Sequence, residues 1–93
     1  MHSPRIQKAS VVDDFTLRIE FTNNEVKQYD IRRLLSIPMF YPLRQPAFFR
    51  SFRVEEGGYG VAWNDEVDIS EYELWKNGVS LKQDELNGDR ISQ

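Results

Sequence analysis

Residues 15–30 read FTLRIEFTNNEVKQYD, and this stretch decides the fold. Phe15, Leu17, Ile19 and Phe21 alternate with Thr16, Arg18 and Glu20. Successive strand side chains point to opposite faces, so the pattern predicts a half-buried strand. Asn23-Asn24 comes next, and asparagine accepts the left-handed backbone of a tight hairpin better than other residues with a side chain. VKQYD at 26–30 then returns as the partner strand. A two-residue turn would put Val26 opposite Phe21 and point Tyr29 outward. A bulge beside the turn would bring Tyr29 inward. The sequence leaves both registers open. Upstream, RIQKASVV at 5–12 reads as a weaker strand beside the hairpin.

Downstream, Asp30 is placed to cap a short helix ending at Leu35, with Ile31, Leu34 and Leu35 on one face. Pro38 ends it. MFYPLRQPAFFRSFR at 39–53 predicts a turn, one short helical segment and a strand entry near Phe52. EEGGYG at 55–60 reads as a hairpin loop into VAW at 61–63. Residues 64–66 form a second turn, and VDI at 67–69 returns. Ser70 followed by Glu73 has the spacing of a capping box. Glu71 and Glu73 suit the positive end of a helix, and Asn77-Gly78 stops it. Asp65, Asp68, Glu71 and Glu73 thus have structural duties, and Trp63, Leu74 and Trp75 are expected core anchors. The expected fold is α+β, one domain over residues 1–81. Antiparallel hairpins form a sheet with two or three short helices, including a C-terminal helix after the last strand. Residues 82–93 have few apolar side chains and are expected to be a disordered tail.

The 93 residues suffice for one domain. There are no cysteines, so disulfides, thiolate metal sites and cysteine nucleophiles are excluded. MHSPRIQKAS lacks the apolar core of a secretory signal, and no window is apolar enough to cross a bilayer, so a cytoplasmic protein is expected. The net charge of −3 is uneven. Residues 1–53 sum to +4 and residues 54–93 to −7.

The order of these signals resembles a bacterial family, domain of unknown function 2442. The residues that carry the resemblance are Leu17, Phe21, Asn23, Glu25, Asp30, Leu34, Leu35, Phe40, Leu43, Phe48, Trp63, Asp68, Ile69 and Leu74. It spans roughly residues 5–78 and implies a compact α+β fold with no established catalytic activity. The family favours glycine where Asn24 and Glu66 stand here, so the second turn is expected to differ if it needs positive φ. Its members are often encoded beside proteins of another uncharacterised family, numbered 4160, in a toxin–antitoxin-like arrangement.

Catalytic, metal and cofactor chemistry finds little support. His2 is the only histidine, and the carboxylates at 65–68 lack calcium-loop spacing. Asp13-Asp14 and Glu55-Glu56 are neighbours, which a strand points to opposite faces. EEGGYG lacks the lysine and hydroxyl of a phosphate loop. No enzyme activity and no cofactor are expected.

The suggestive segment runs from Ile31 to Val54, which contains no acidic residue. Arg32, Arg33, Arg44, Arg50 and Arg53 lie among Phe40, Tyr41, Phe48, Phe49 and Phe52. Arginine with aromatic rings is the composition of protein hot spots and of stacking surfaces for single strands. Phe40, Phe48 and Phe52 are expected in the core. Tyr41, Arg44, Phe49, Arg50 and Arg53 are the expected interaction residues, with Phe49 or Tyr41 the exposed anchor. The favoured expectation is a non-enzymatic interaction module, antitoxin-like, with a protein partner such as a family 4160 member. A homodimer through a strand edge is subsidiary. A nucleic-acid-associated regulator and a small-ligand domain with a pocket near Trp63 and Tyr59 are the alternatives.

Overall fold

The computed structural model describes residues 3–81. Three strands follow the reading of the first segment: β1 (Ile6–Asp13), β2 (Thr16–Phe21) and β3 (Val26–Asp30). They form an antiparallel sheet in the order β1-β2-β3-β7, where β7 is the short strand Val79–Ser80. A second antiparallel sheet contains β4 (Arg53–Val54), β5 (Gly60–Ala62) and β6 (Asp68–Ser70). Two α-helices, α1 (Pro46–Phe49) and α2 (Glu71–Asn77), and three 3-10 segments complete the α+β fold of the described residues. α2 follows the hairpin strands, as expected, and the chain then adds β7 along β3. The tail at 82–93 lies outside the described residues.

The first hairpin settles the register in favour of the bulge. Asn24 N–H donates to the Phe21 carbonyl and Phe21 N–H to the Glu25 carbonyl, both at 2.9 Å. Asn24 adopts φ +72, the left-handed conformation that asparagine tolerates. The extra residue pairs Glu20 with Val26 and Leu17 with Tyr29. Tyr29 therefore joins Leu17, Ile19 and Phe21 on the inner face, all buried. Lys27 falls on that face too, opposite Ile19. Its stem runs beneath α2 and its ammonium lies 3.8 Å from the Trp75 ring centre, donating to the Trp75 carbonyl. A cation at the carbonyl end of a helix is electrostatically favourable, and the stem covers apolar surface.

The two sheets meet where the 55–60 loop crosses β1. Gly58 has φ +76, and a Cβ there would lie 2.4 Å from the Ile6 carbonyl oxygen. Only glycine permits this approach. The second hairpin needs no positive φ at Glu66. Asn64 Oδ1 instead accepts from the Glu66 and Val67 N–H groups, both at 2.8 Å.

Ser70 caps α2 as expected, its Oγ accepting from Glu73 N–H at 3.1 Å. The reciprocal half of the capping box is absent. The Glu73 carboxylate turns inward, accepting from the Tyr29 hydroxyl at 2.6 Å and from Asn77 Nδ2 at 3.0 Å. Burial, then this hydrogen bond and the Glu73 charge, push the Tyr29 phenol well above its ordinary pKa. Glu71 ties the opposite side of the helix start to the N-terminal segment through Ser3 and Arg5.

Candidate interaction surface

The acid-free segment begins with a 3-10 turn, Ile31–Leu34, capped by Asp30 Oδ1, which accepts from Arg32 N–H at 2.9 Å. A longer 3-10 stretch, Pro38–Arg44, follows. Pro38 opens this stretch because a first-turn N–H has no helical acceptor to lose. With three residues per turn, side chains three apart eclipse. Phe40 and Leu43 accordingly both point into the core. What remains outside is apolar: Ile37, Met39 and Tyr41 are 42%, 49% and 46% exposed. Pro38, Pro42, Pro46 and Ala47 are exposed as well.

Arg44 closes this ridge. Its guanidinium carbon lies 4.5 Å from the Tyr41 ring centre, and Nη2 donates to the Leu35 carbonyl at 2.7 Å. Tyr41 and Arg44 are therefore brought together as an exposed, oriented pair.

Phe49 is a correction. It was expected as an exposed anchor, but its side chain is fully buried. α1 is a single turn starting at Pro46, and it swings Phe49 onto Trp63, with ring centres 6.3 Å apart and 20° between planes. Trp63 Nε1 donates to the Phe49 carbonyl at 2.8 Å, which fixes the turn. Its neighbour Phe48 is only partly buried. Adjacent residues on a helical turn diverge, and the one facing Trp63 went inside.

The remaining arginines are dispersed. Arg50 reaches Asp14 at 2.7 Å, between β1 and β2. Arg53 is exposed on β4 and makes no ion pair among the described residues. Arg32 grips Asp30 with Nε and Nη2, the shortest contact 2.6 Å, and holds that carboxyl below the ordinary aspartate range. Arg33 stands 3.9 Å from Glu73. Three of the five arginines thus face carboxylates from outside the segment, and no single basic face forms.

Arg32 and Arg33 border a partly open groove of about 460 Å³, lined also by Gln28, Asp30, Asn77 and Val79. It lies on the outer side of β3, away from Trp63 and Tyr59. Trp63 is packed in the core, and Tyr59 lies under the Arg5 guanidinium, 4.0 Å from its ring centre. Among the described residues, no helix is long and apolar enough to cross a membrane, and no three metal-ligating side chains converge.

A family model described as "Protein of unknown function (DUF2442)" matches residues 6–80. The chain belongs to this family. No curated protein and no solved structure matches it. The DUF2442 resemblance rested largely on residues now seen to be buried, among them Leu17, Phe21, Leu34, Leu43, Trp63, Ile69 and Leu74. The asparagine at a position where DUF2442 proteins favour glycine is the one non-glycine residue with positive φ among the described residues. Sequence composition alone does not mark Ile37 and Met39 as surface residues, since both are apolar. The signal available for them was proline at 38, 42 and 46, around a Phe40/Leu43 spacing of three.

Proposed function

We propose that this DUF2442 protein is a non-enzymatic interaction module that docks a protein partner on the Ile37–Arg44 ridge. The observation that carries this reading is the exposure of Ile37, Met39 and Tyr41 on a proline-braced turn, with Arg44 stacked on Tyr41. Proline restricts backbone φ, so little chain entropy remains to be lost when the ridge is covered. Exposed apolar side chains beside an oriented arginine are the usual ingredients of an interface core. The absence of acidic residues from 31 to 54 favours a partner presenting apolar side chains next to carboxylates. A family 4160 protein, in an antitoxin-like pairing, is the first partner to test.

A protein partner is favoured over nucleic acid because Arg32 and Arg50 are already bonded to carboxylates of this chain. Fewer cations are left for a phosphate backbone, whose binding depends on counterion release.

The test is calorimetric titration of the purified chain with a purified family 4160 protein encoded beside it. Met39→Ala/Tyr41→Ala should weaken binding by about tenfold or more while costing the fold about 1.5 kcal/mol at most. An affinity equal to that of the parent chain removes the ridge as the docking surface.

A further inference from the structure

The groove at Arg32 and Arg33 holds hydrogen-bond donors that the fold does not use. The Arg33 guanidinium makes no hydrogen bond among the described residues; it lies 6.0 Å from the Tyr29 ring centre, and the carboxylate near it, Glu73, is 3.9 Å away and already accepts from Tyr29 and Asn77. A guanidinium carries five N–H donors in a planar fork. Arg32 commits Nε and Nη2 to Asp30, but its Nη1 has no acceptor among the described residues. The Gln28 carboxamide, also lining the groove, is likewise without a partner among them.

We propose that this groove receives a carboxylate side chain of the protein partner, held chiefly by the Arg33 guanidinium with Gln28 beside it. The proposal rests on the ridge reading for the identity of the partner. Distance supports joining the two. Arg33 and Ile37 are four residues apart, so their Cα atoms can be separated by at most roughly 14 Å. The intervening chain also turns, since Ile37 N–H bonds the Leu34 carbonyl at 2.9 Å. One partner surface can therefore cover the ridge and enter the groove.

Charge selects the group. Asp30 lines the groove, and Glu73 lies within 3.9 Å of Arg33. These two negative charges balance the formal charges of Arg32 and Arg33, so the fork geometry of the uncommitted Arg33 donors, rather than a net positive field, favours the ligand. A monoanionic carboxylate matches a guanidinium fork in that setting, whereas a phosphoryl dianion meets more repulsion.

The experiment uses the full chain, isotopically labelled, at constant ionic strength. N-acetylglutamic acid α-amide is the probe, the glutamine analogue is its neutral control, and inorganic phosphate is the competing anion. The readouts are the Arg33 Nε–H and the side-chain amide signals of Gln28 and Asn77, with Arg53 as the reference arginine. Saturable shifts at Arg33 and Gln28 with the glutamate probe alone, and none at Arg53, are expected. Arg33→Gln should raise the dissociation constant at least about tenfold, with the Val61 and Ile69 amide signals unmoved, and Arg33→Lys should recover only part of the loss. Equal shifts at Arg53, no saturation, or indifference to Arg33→Gln overturns the proposal. Phosphate binding tenfold tighter than the glutamate probe overturns the carboxylate assignment. A silent groove with an intact ridge interface sinks this inference alone. A saturable groove with a partner indifferent to Met39 and Tyr41 removes that partner as the source of the carboxylate.

Discussion

Two arginine–aromatic pairs flank Gln45, and they have opposite fates. Tyr41 and Arg44 stand in solvent, stacked on each other. Phe49 is buried against Trp63, and Arg50 leaves it to reach Asp14. The composition of the two pairs is nearly the same; the backbone decides between them. In the 3-10 stretch, Phe40 and Leu43 take the inner positions and leave Tyr41 outside. In α1, one turn aims Phe49 at a tryptophan supplied from just beyond β5. The lesson is that an aromatic run does not allocate its own rings. The turn geometry and the partner across the core do.

The largest expected effect breaks the buried pair. Phe49→Ala leaves a cavity beside Trp63 and should destabilise the fold by about 3–5 kcal/mol. Denaturant unfolding measures this directly, and a loss under 1 kcal/mol would contradict the packing described. Any loss of partner binding in this variant would report unfolding rather than a lost contact. Trp63→Phe is the next largest. It keeps a ring in the core but removes the Nε1 donor, stranding the Phe49 carbonyl. An unsatisfied buried carbonyl costs about 1–3 kcal/mol, readable in the same denaturation series.

Sequence periodicity made the first hairpin legible because strict alternation over 15–21 admits one buried face, and its burial followed at Leu17, Ile19 and Phe21. The register was not legible. It turns on the single left-handed φ at Asn24, and two adjacent asparagines do not say which of them adopts it. The Ser70 cap was readable from local spacing, but the Glu73 carboxylate answered to Tyr29, 44 residues away. The candidate surface divided in the same way. Tyr41 and Arg44 lie three apart and could be paired locally, whereas the burial of Phe49 depends on Trp63 and the pairing of Arg50 on Asp14. Long-range partners of that kind leave no mark in a local pattern.

The paired arginine gives a smaller effect. Arg50 and Asp14 are both about half exposed, 49% and 52%. Such a pair contributes about 0.2–1 kcal/mol and is screened by salt. Arg50→Ala should therefore lower stability by no more than this, and the difference from the parent should shrink in 1 M salt, where the screening length is about 3 Å. A large, salt-independent loss would mean that the Arg50 stem contributes to packing, making this pair less unlike its buried neighbour Phe49 than the structure indicates.

The smallest effect on stability belongs to the ridge, and the contrast between the two pairs depends on it most. Tyr41 gives up little in becoming alanine, because nearly half of its surface already faces water. The stacked guanidinium accounts for about 0.5–1 kcal/mol at an exposed site, and Arg44 keeps its bond to the Leu35 carbonyl when the ring is removed. Tyr41→Ala should therefore shift the unfolding free energy by about 1 kcal/mol at most, and Met39→Ala by about 0.5 kcal/mol or less. Tyr41→Phe keeps the ring under Arg44 and should behave like the parent in both folding and binding. A surface kept for docking predicts this division: stability nearly indifferent to the ring, affinity strongly dependent on it. If Tyr41→Ala instead cost as much as Phe49→Ala, both rings would be structural and the exposed pair would lose its claim to a separate role.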